Sequence, residues 1–162
     1  MSDLFPVAGA KISIGGVLPA EIGDMVASDF ASQTWVEIDG WEQAGEYGDA
    51  ANIISTPLIN RGRVVKQKGT RDAGDMENRF AIITGDAGMT AVVAAERTRN
   101  AYAFRVVYDD KPNATGTGTT HFFVAKVVSA RFVNGEADSI RMRAVTLGID
   151  SNIVEVAPVA GV

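Results

Sequence analysis

The side chains able to do chemistry are few in this chain, and their spacing does not serve it. His121 is the only histidine. It lies inside Thr119-Thr-His-Phe-Phe-Val124, an alternating segment with the look of a strand. A nucleophile for it to activate is missing, because Ser13, Ser28 and Ser55 stand in no G-x-S-x-G turn. His121 therefore reads as structural or solvent-facing. The absence of cysteine removes thiol catalysis, disulfides and Cys-ligated zinc, and one imidazole cannot build a multi-histidine metal site. Asp72, Asp75 and Glu77 cluster, but their spacing misses the calcium-loop pattern. Gly116-Thr-Gly118 lacks the third glycine of a dinucleotide fingerprint, and no Walker sequence occurs. Asn113-Ala-Thr115 is a glycosylation sequon, which has meaning only in a secreted chain. The expectation is a non-enzyme without cofactor or metal.

Charge is more informative. The net −5 opposes a protein that grips nucleic acid by its phosphates. Trp35 and Trp41 could stack bases, but no cation stands near them and Asp39 and Glu42 flank Trp41, so packing explains them better. The sign is unevenly spread. Residues 1–60 hold Lys11 against nine acids, Asp3 among them, for a local −8. Residues 61–79 sum to +3, with five bases and no acid between Arg61 and Arg71, and residues 80–162 balance. Two readings fit: adjacent solvated faces of one molecule, or a subunit with one acidic and one basic side made for head-to-tail contact.

The elements around these residues come from the hydropathy pattern. With 162 residues, 46% hydrophobic and 22% charged, the chain has enough apolar material for one core. Seventeen glycines favour turns over long helices. No apolar run reaches membrane-spanning length, and the opening MSDLFPVAGAKISIGG has no basic stretch before an apolar core, so no signal peptide is expected. Strands are predicted over residues 10–14, 33–38, 63–68, 79–84, 101–109, 119–133 and 139–149. The last two are joined at Asn134-Gly135, the strongest hairpin signal in the chain. Residues 42–62 read as irregular and residues 69–75 as a loop. Asp86 predicts the cap of one helix over about 86–99, with Met89, Val92 and Val93 on its apolar stripe. The fold class is mostly β: an antiparallel β-sandwich or partial barrel with one flanking helix. Residues 1–32 read as an N-terminal arm with loops, 33–149 as the β-sandwich body and 150–162 as a C-terminal arm.

The order and spacing of several short pieces resemble the tail tube (major tail) proteins of long-tailed bacteriophages. These are Trp35-Val-Glu-Ile-Asp-Gly40, Gly45-Glu-Tyr-Gly48, Ile54-Ser-Thr-Pro-Leu58, Val65-Lys-Gln-Lys-Gly69, the helix after Gly85-Asp86, Ala101-Tyr-Ala-Phe-Arg-Val106, and the hairpin at Asn134-Gly135. The resemblance spans Trp35 to Ile149. It implies a virion structural protein whose hexameric rings stack into the conduit for genome delivery. Its implied partners are copies of itself, a tape-measure protein in the lumen, terminator and baseplate or tip proteins at the ends, and DNA in transit without specific binding. It implies assembly in the host cytoplasm and residence in the virion tail.

Site residues follow from the same resemblance. Gly45, Tyr47, Gly48, Thr56, Pro57 and Leu58 would belong to a loop crossing to a neighbour, unless the glycines serve turn geometry alone. Lys66, Lys68, Gly69, Asp72 and Asp75 would contact the next ring, beside the basic Arg61 and Arg63. Ile153, Val154 and Val156 would add a strand to an adjacent subunit or remain a disordered tail. Arg105, Arg141 and Arg143 are candidates to face the lumen. The alternatives are the tube subunit of a contractile injection or type VI secretion system, and a monomeric β-barrel holding a small ligand.

Overall fold

The computed structural model describes residues 4–21 and 23–162; Asp3 and the other members of the expected N-terminal arm at 1, 2 and 22 lie outside the described residues. The strands are β1 (Lys11–Val17), β2 (Val36–Ile38), β3 (Trp41–Gln43), β4 (Ala50–Leu58), β5 (Arg63–Asp72), β6 (Asp75–Ala81), β7 (Tyr102–Val107), β8 (Thr120–Val133), β9 (Met142–Ile149) and β10 (Val154–Val156). The helix α1 spans Ala87–Glu96. The fold is mostly β, antiparallel, with one helix, as the pattern predicts.

One sheet runs β2-β1-β7-β8-β9-β6-β3, and β10 pairs with β8 off this path. The two end strands, β2 and β3, are joined by Asp39 and Gly40 alone. Seven strands laid flat would separate their outer members by about 29 Å, whereas three virtual bonds between Ile38 and Trp41 reach roughly 11 Å. The sheet must therefore curl on itself into a partial barrel. Ile12 and Ile14 of β1, Met76 and Phe80 of β6, and Phe104, Phe123 and Leu147 between them are all buried in one core. The Phe104 and Phe123 rings stack at 5.7 Å.

The helix packs against β8, β2 and β1. Asp86 caps it as predicted, its Oδ1 accepting from the Gly88 N–H at 3.1 Å, while its Oδ2 accepts from the Asp39 N–H at 3.2 Å. One carboxylate thus ties the helix start to the β2–β3 corner. Gly88 permits this closeness, since a Cβ there would fall 2.2 Å from the Glu37 carbonyl oxygen. Val92 and Ala95 are buried, Met89 packs against the core, and Val93 is half-buried.

A second, smaller cluster covers the opposite face of the central strands. Met25, Phe30, Ala101, Ala103 and Val124 are buried there beside Trp35 and Phe122. Both faces of β7 are therefore filled, where simple alternation predicts one. Much of the expected N-terminal arm belongs to the body. β1 is an inner strand, and the 3₁₀ turn Ala27–Phe30 lies on this cluster. Asn152 holds the segment from both sides, accepting from the Met25 N–H at 2.8 Å and donating to its carbonyl at 3.1 Å.

Three predicted elements need correction. Residues 50–58, read as irregular, form β4, and the strand predicted to end at Lys68 continues to Asp72, so Gly69 is a strand residue rather than a loop residue. The Asn134-Gly135 pair does not make a two-residue turn. Residues 134–141 form a longer connection closed by the Ser139 N–H to the Glu136 carbonyl at 3.0 Å. Arg141 consequently lies before β9, not on it.

Candidate assembly surfaces

β4 and β5 form a separate antiparallel ribbon, paired from Ala50 with Asp72 to Leu58 with Arg63. None of its strand residues is buried. This explains its illegibility: with neither face in a core, no period-2 pattern is imposed. A two-stranded ribbon is marginal in water by itself. Ile53 and Ile54 are more than half exposed, and Ile59 in the turn is fully exposed. Between residues 50 and 72 stand five bases and one acid, a net +4, which leaves −9 on the remainder. Among the described residues only Arg71 of this arm has a carboxylate partner, Asp49 at 3.2 Å at the root. Arg61, Arg63, Lys66 and Lys68 have none within ion-pair distance among those residues. Of the predicted contact residues, Thr56, Pro57, Leu58, Lys66, Lys68 and Gly69 all lie on the arm, with Asp72 at its base and Asp75 opening β6.

A second surface is a strand edge. β7 pairs with β8 only from Thr120 to Ala125. Beyond that point β8 keeps β9 on one side, and no described strand pairs with its other side through Val133. Val128 and Phe132 are about 60% exposed along this stretch. A long edge with unpaired backbone groups and apolar side chains is a template for another strand.

The segment after β3 lies over the body. Gly45 approaches β6 so closely that a Cβ would sit 2.3 Å from the Glu77 carbonyl oxygen. Its N–H donates to the buried Asn78 Oδ1 at 3.1 Å, which also accepts from Trp41 Nε1 at 3.2 Å. Two residues on, the Tyr47 ring packs against Phe123. Its hydroxyl lies 2.5 Å from the Tyr108 hydroxyl and 2.6 Å from His121 Nδ1. One proton arrangement satisfies the chain: Tyr108 donates to Tyr47, Tyr47 donates to Nδ1, and the Nε2 proton faces Glu155 at 3.8 Å. Burial raises the Tyr47 phenol above its ordinary value and keeps it protonated. Burial also lowers His121 below 6.5, against the opposing pull of Glu155 and Asp110. The sequence reading missed this cluster because its members are 61 and 74 residues apart in the chain. Gly48 follows in the open, where an added Cβ would meet nothing within 4 Å.

β10 pairs with the chain's own β8, placing Val154 opposite Phe122 and Val156 opposite Thr120. Ile153 packs on the main core, and Thr117 bridges Val159 further along the tail. The three arginines differ in setting. Arg105 on β7 lies 5.1 Å over the Trp35 ring, and burial lowers its guanidinium pKa. Arg143 on β9 lies 4.2 Å over the ring of Phe132, its cross-strand partner on β8, while Arg141 is exposed in the preceding connection. Among the described residues no group of acidic or histidine side chains could hold a metal ion, and no helix is long and apolar enough to cross a membrane.

No protein-family model matches the chain, and no curated protein matches it. Solved structures do. The sheath/tube terminator of an extracellular contractile injection system (PVC, extended state) superposes with a TM-score of 0.68 at 12% identity, over 96% of this chain and 99% of that one. A component of the anti-feeding prophage baseplate gives 0.67 at 8% identity, over 97% and 98%. The tail tube of SPP1 gives 0.63 at 16% identity, over 94% of this chain and 80% of that one. The chain has the fold of these tube and tail components.

Proposed function

We propose that this chain is a structural subunit that tiles with its own copies into stacked rings forming a tail tube. The observation that carries the reading is the β4–β5 arm, an exposed ribbon whose apolar side chains the body leaves uncovered and whose cations Arg61, Arg63, Lys66 and Lys68 have no carboxylate partner among the described residues. The open β8 edge supplies the second surface that such an assembly needs. One strand edge closes a ring laterally, and an arm reaches along the tube axis, so the two contacts are heterologous and repeat. Six subunits per ring is the expected number, in keeping with the sixfold-symmetrised baseplate whose component shares the fold. The ends of the stack would meet terminator and baseplate components.

In a phage tail the lumen would hold a tape-measure protein and then pass DNA. Six copies would carry about −30, a sign that discourages phosphates from sticking. The particle would then be assembled in the host cytoplasm and end in the virion tail. No bond-making step is assigned to any residue; the His121 cluster is a packing device under the Tyr47 segment. The second reading, the tube of a contractile injection particle, is favoured by the terminator and baseplate structures that share the fold. It keeps the same contacts and changes the cargo.

The test is light scattering across a concentration series, with electron microscopy of the largest species. Growth from monomer to rings and hollow tubes is expected. A monomer at every concentration, holding a small ligand inside the barrel, contradicts the proposal.

A further inference from the structure

We infer that the tip of the β4–β5 arm docks into an acid-rimmed cavity on a second copy, beside the N-terminal segment. This rests on the tube reading and names the partner surface of its arm. The cavity, about 240 Å³, is lined by the apolar Phe5 and Val7, by the half-buried Tyr108 and His121, and by the exposed Asp109 and Glu155. Phe5 and Val7 are each about 60% exposed, so the wall offers apolar surface. A turn closed by the Ala10 N–H to the Val7 carbonyl at 3.0 Å carries that wall back into β1.

The carboxylates of this lining lack cations of their own among the described residues. Asp109 and Asp110 have no Lys or Arg within ion-pair distance among the described residues, and Glu155 has only neutral-leaning His121. Asp110 is held ionised, its carboxylate accepting from the Thr119 N–H at 2.6 Å and accepting the Thr119 hydroxyl as well, which keeps its pKa below the ordinary 3.8.

The occupant has to bring cations on an apolar support. The arm tip does so: Ile59 is fully exposed in the turn, Pro57 and Val64 flank it, and Arg61 and Arg63 have no carboxylate within ion-pair distance among the described residues. The fit therefore pairs unpartnered cations with unpartnered carboxylates around an apolar contact, which gives orientation as well as attraction. It also gives the charge split of the sequence a definite meaning, since the +4 arm of one subunit reaches the −9 body of another.

The chain has no cysteine, so a disulfide trap has a clean background. Arg61→Cys and Asp109→Cys are placed in two separately tagged chains, mixed, brought to assembly and oxidised. Docking predicts a disulfide between the two tags. The same wild-type preparation is followed in parallel. Tubes from wild-type chains without the mixed disulfide overturn the docking and leave the tube reading intact, whereas wild-type chains that never assemble overturn both. Charge exchange is the second arm of the test. Arg61→Asp with Arg63→Asp should raise the assembly concentration about tenfold, and adding Asp109→Arg with Glu155→Arg should bring it back. Failure of that restoration, with each variant still folded, counts against the docking.

Discussion

At the scale of single residues, the His121 cluster makes a prediction about pH. A histidine whose folded pKa lies below 6.5 is protonated first in the unfolded chain. Its contribution is complete above 6.5 and is lost as pH falls toward the folded pKa. The thermal midpoint should drop by on the order of a few degrees between pH 7.5 and 5.5. His121→Gln should flatten that dependence. An equally steep profile in the variant would assign the effect elsewhere. A further loss below about pH 4 belongs to Asp110, whose pKa is depressed below 3.8 by Thr119. Little of this site was legible in the sequence. His121 was visible as a lone imidazole, but its partners come from a segment after β3 and from the residue following β7, and no local spacing links them.

At the scale of elements, legibility followed burial. β8 and α1 announced themselves because Phe123, Val127, Val92 and Ala95 face a core and Asp86 caps a helix through its own side chain. β4 did not, since its partner is β5 and nothing else. Asn134-Gly135 misled for a related reason: a two-residue turn there would need left-handed backbone, yet Gly135 takes no positive φ and instead approaches Ser139 closely. Two predictions belong here. Gly88→Val should push α1 off β2 and cost about 1–3 kcal/mol in chemical denaturation, with strand content kept. An unchanged denaturation midpoint would show the helix is not seated against Glu37. Replacing residues 52–70 with a short turn should leave the midpoint of the body nearly unchanged while abolishing assembly, because the arm shares no core with the body. Collapse of the body on that deletion would give the arm a structural role inside the monomer.

At the scale of the whole molecule, the partial barrel is closed through Asp39 and Gly40 and by the helix, but it leaves two things unfinished, an edge and an arm. Val128→Lys with Phe132→Lys should keep the monomer folded and raise the assembly concentration about tenfold, since charge on an edge blunts strand addition. The most direct measurement of the central claim is a cryo-EM reconstruction of concentrated wild-type protein at a resolution that shows strands. Self-tiling predicts stacked rings around an open lumen, with backbone pairing across subunits along residues 126–133 of β8 and the arm ordered against a second copy. Particles that remain single barrels, with that edge solvated and the arm touching nothing, would contradict it.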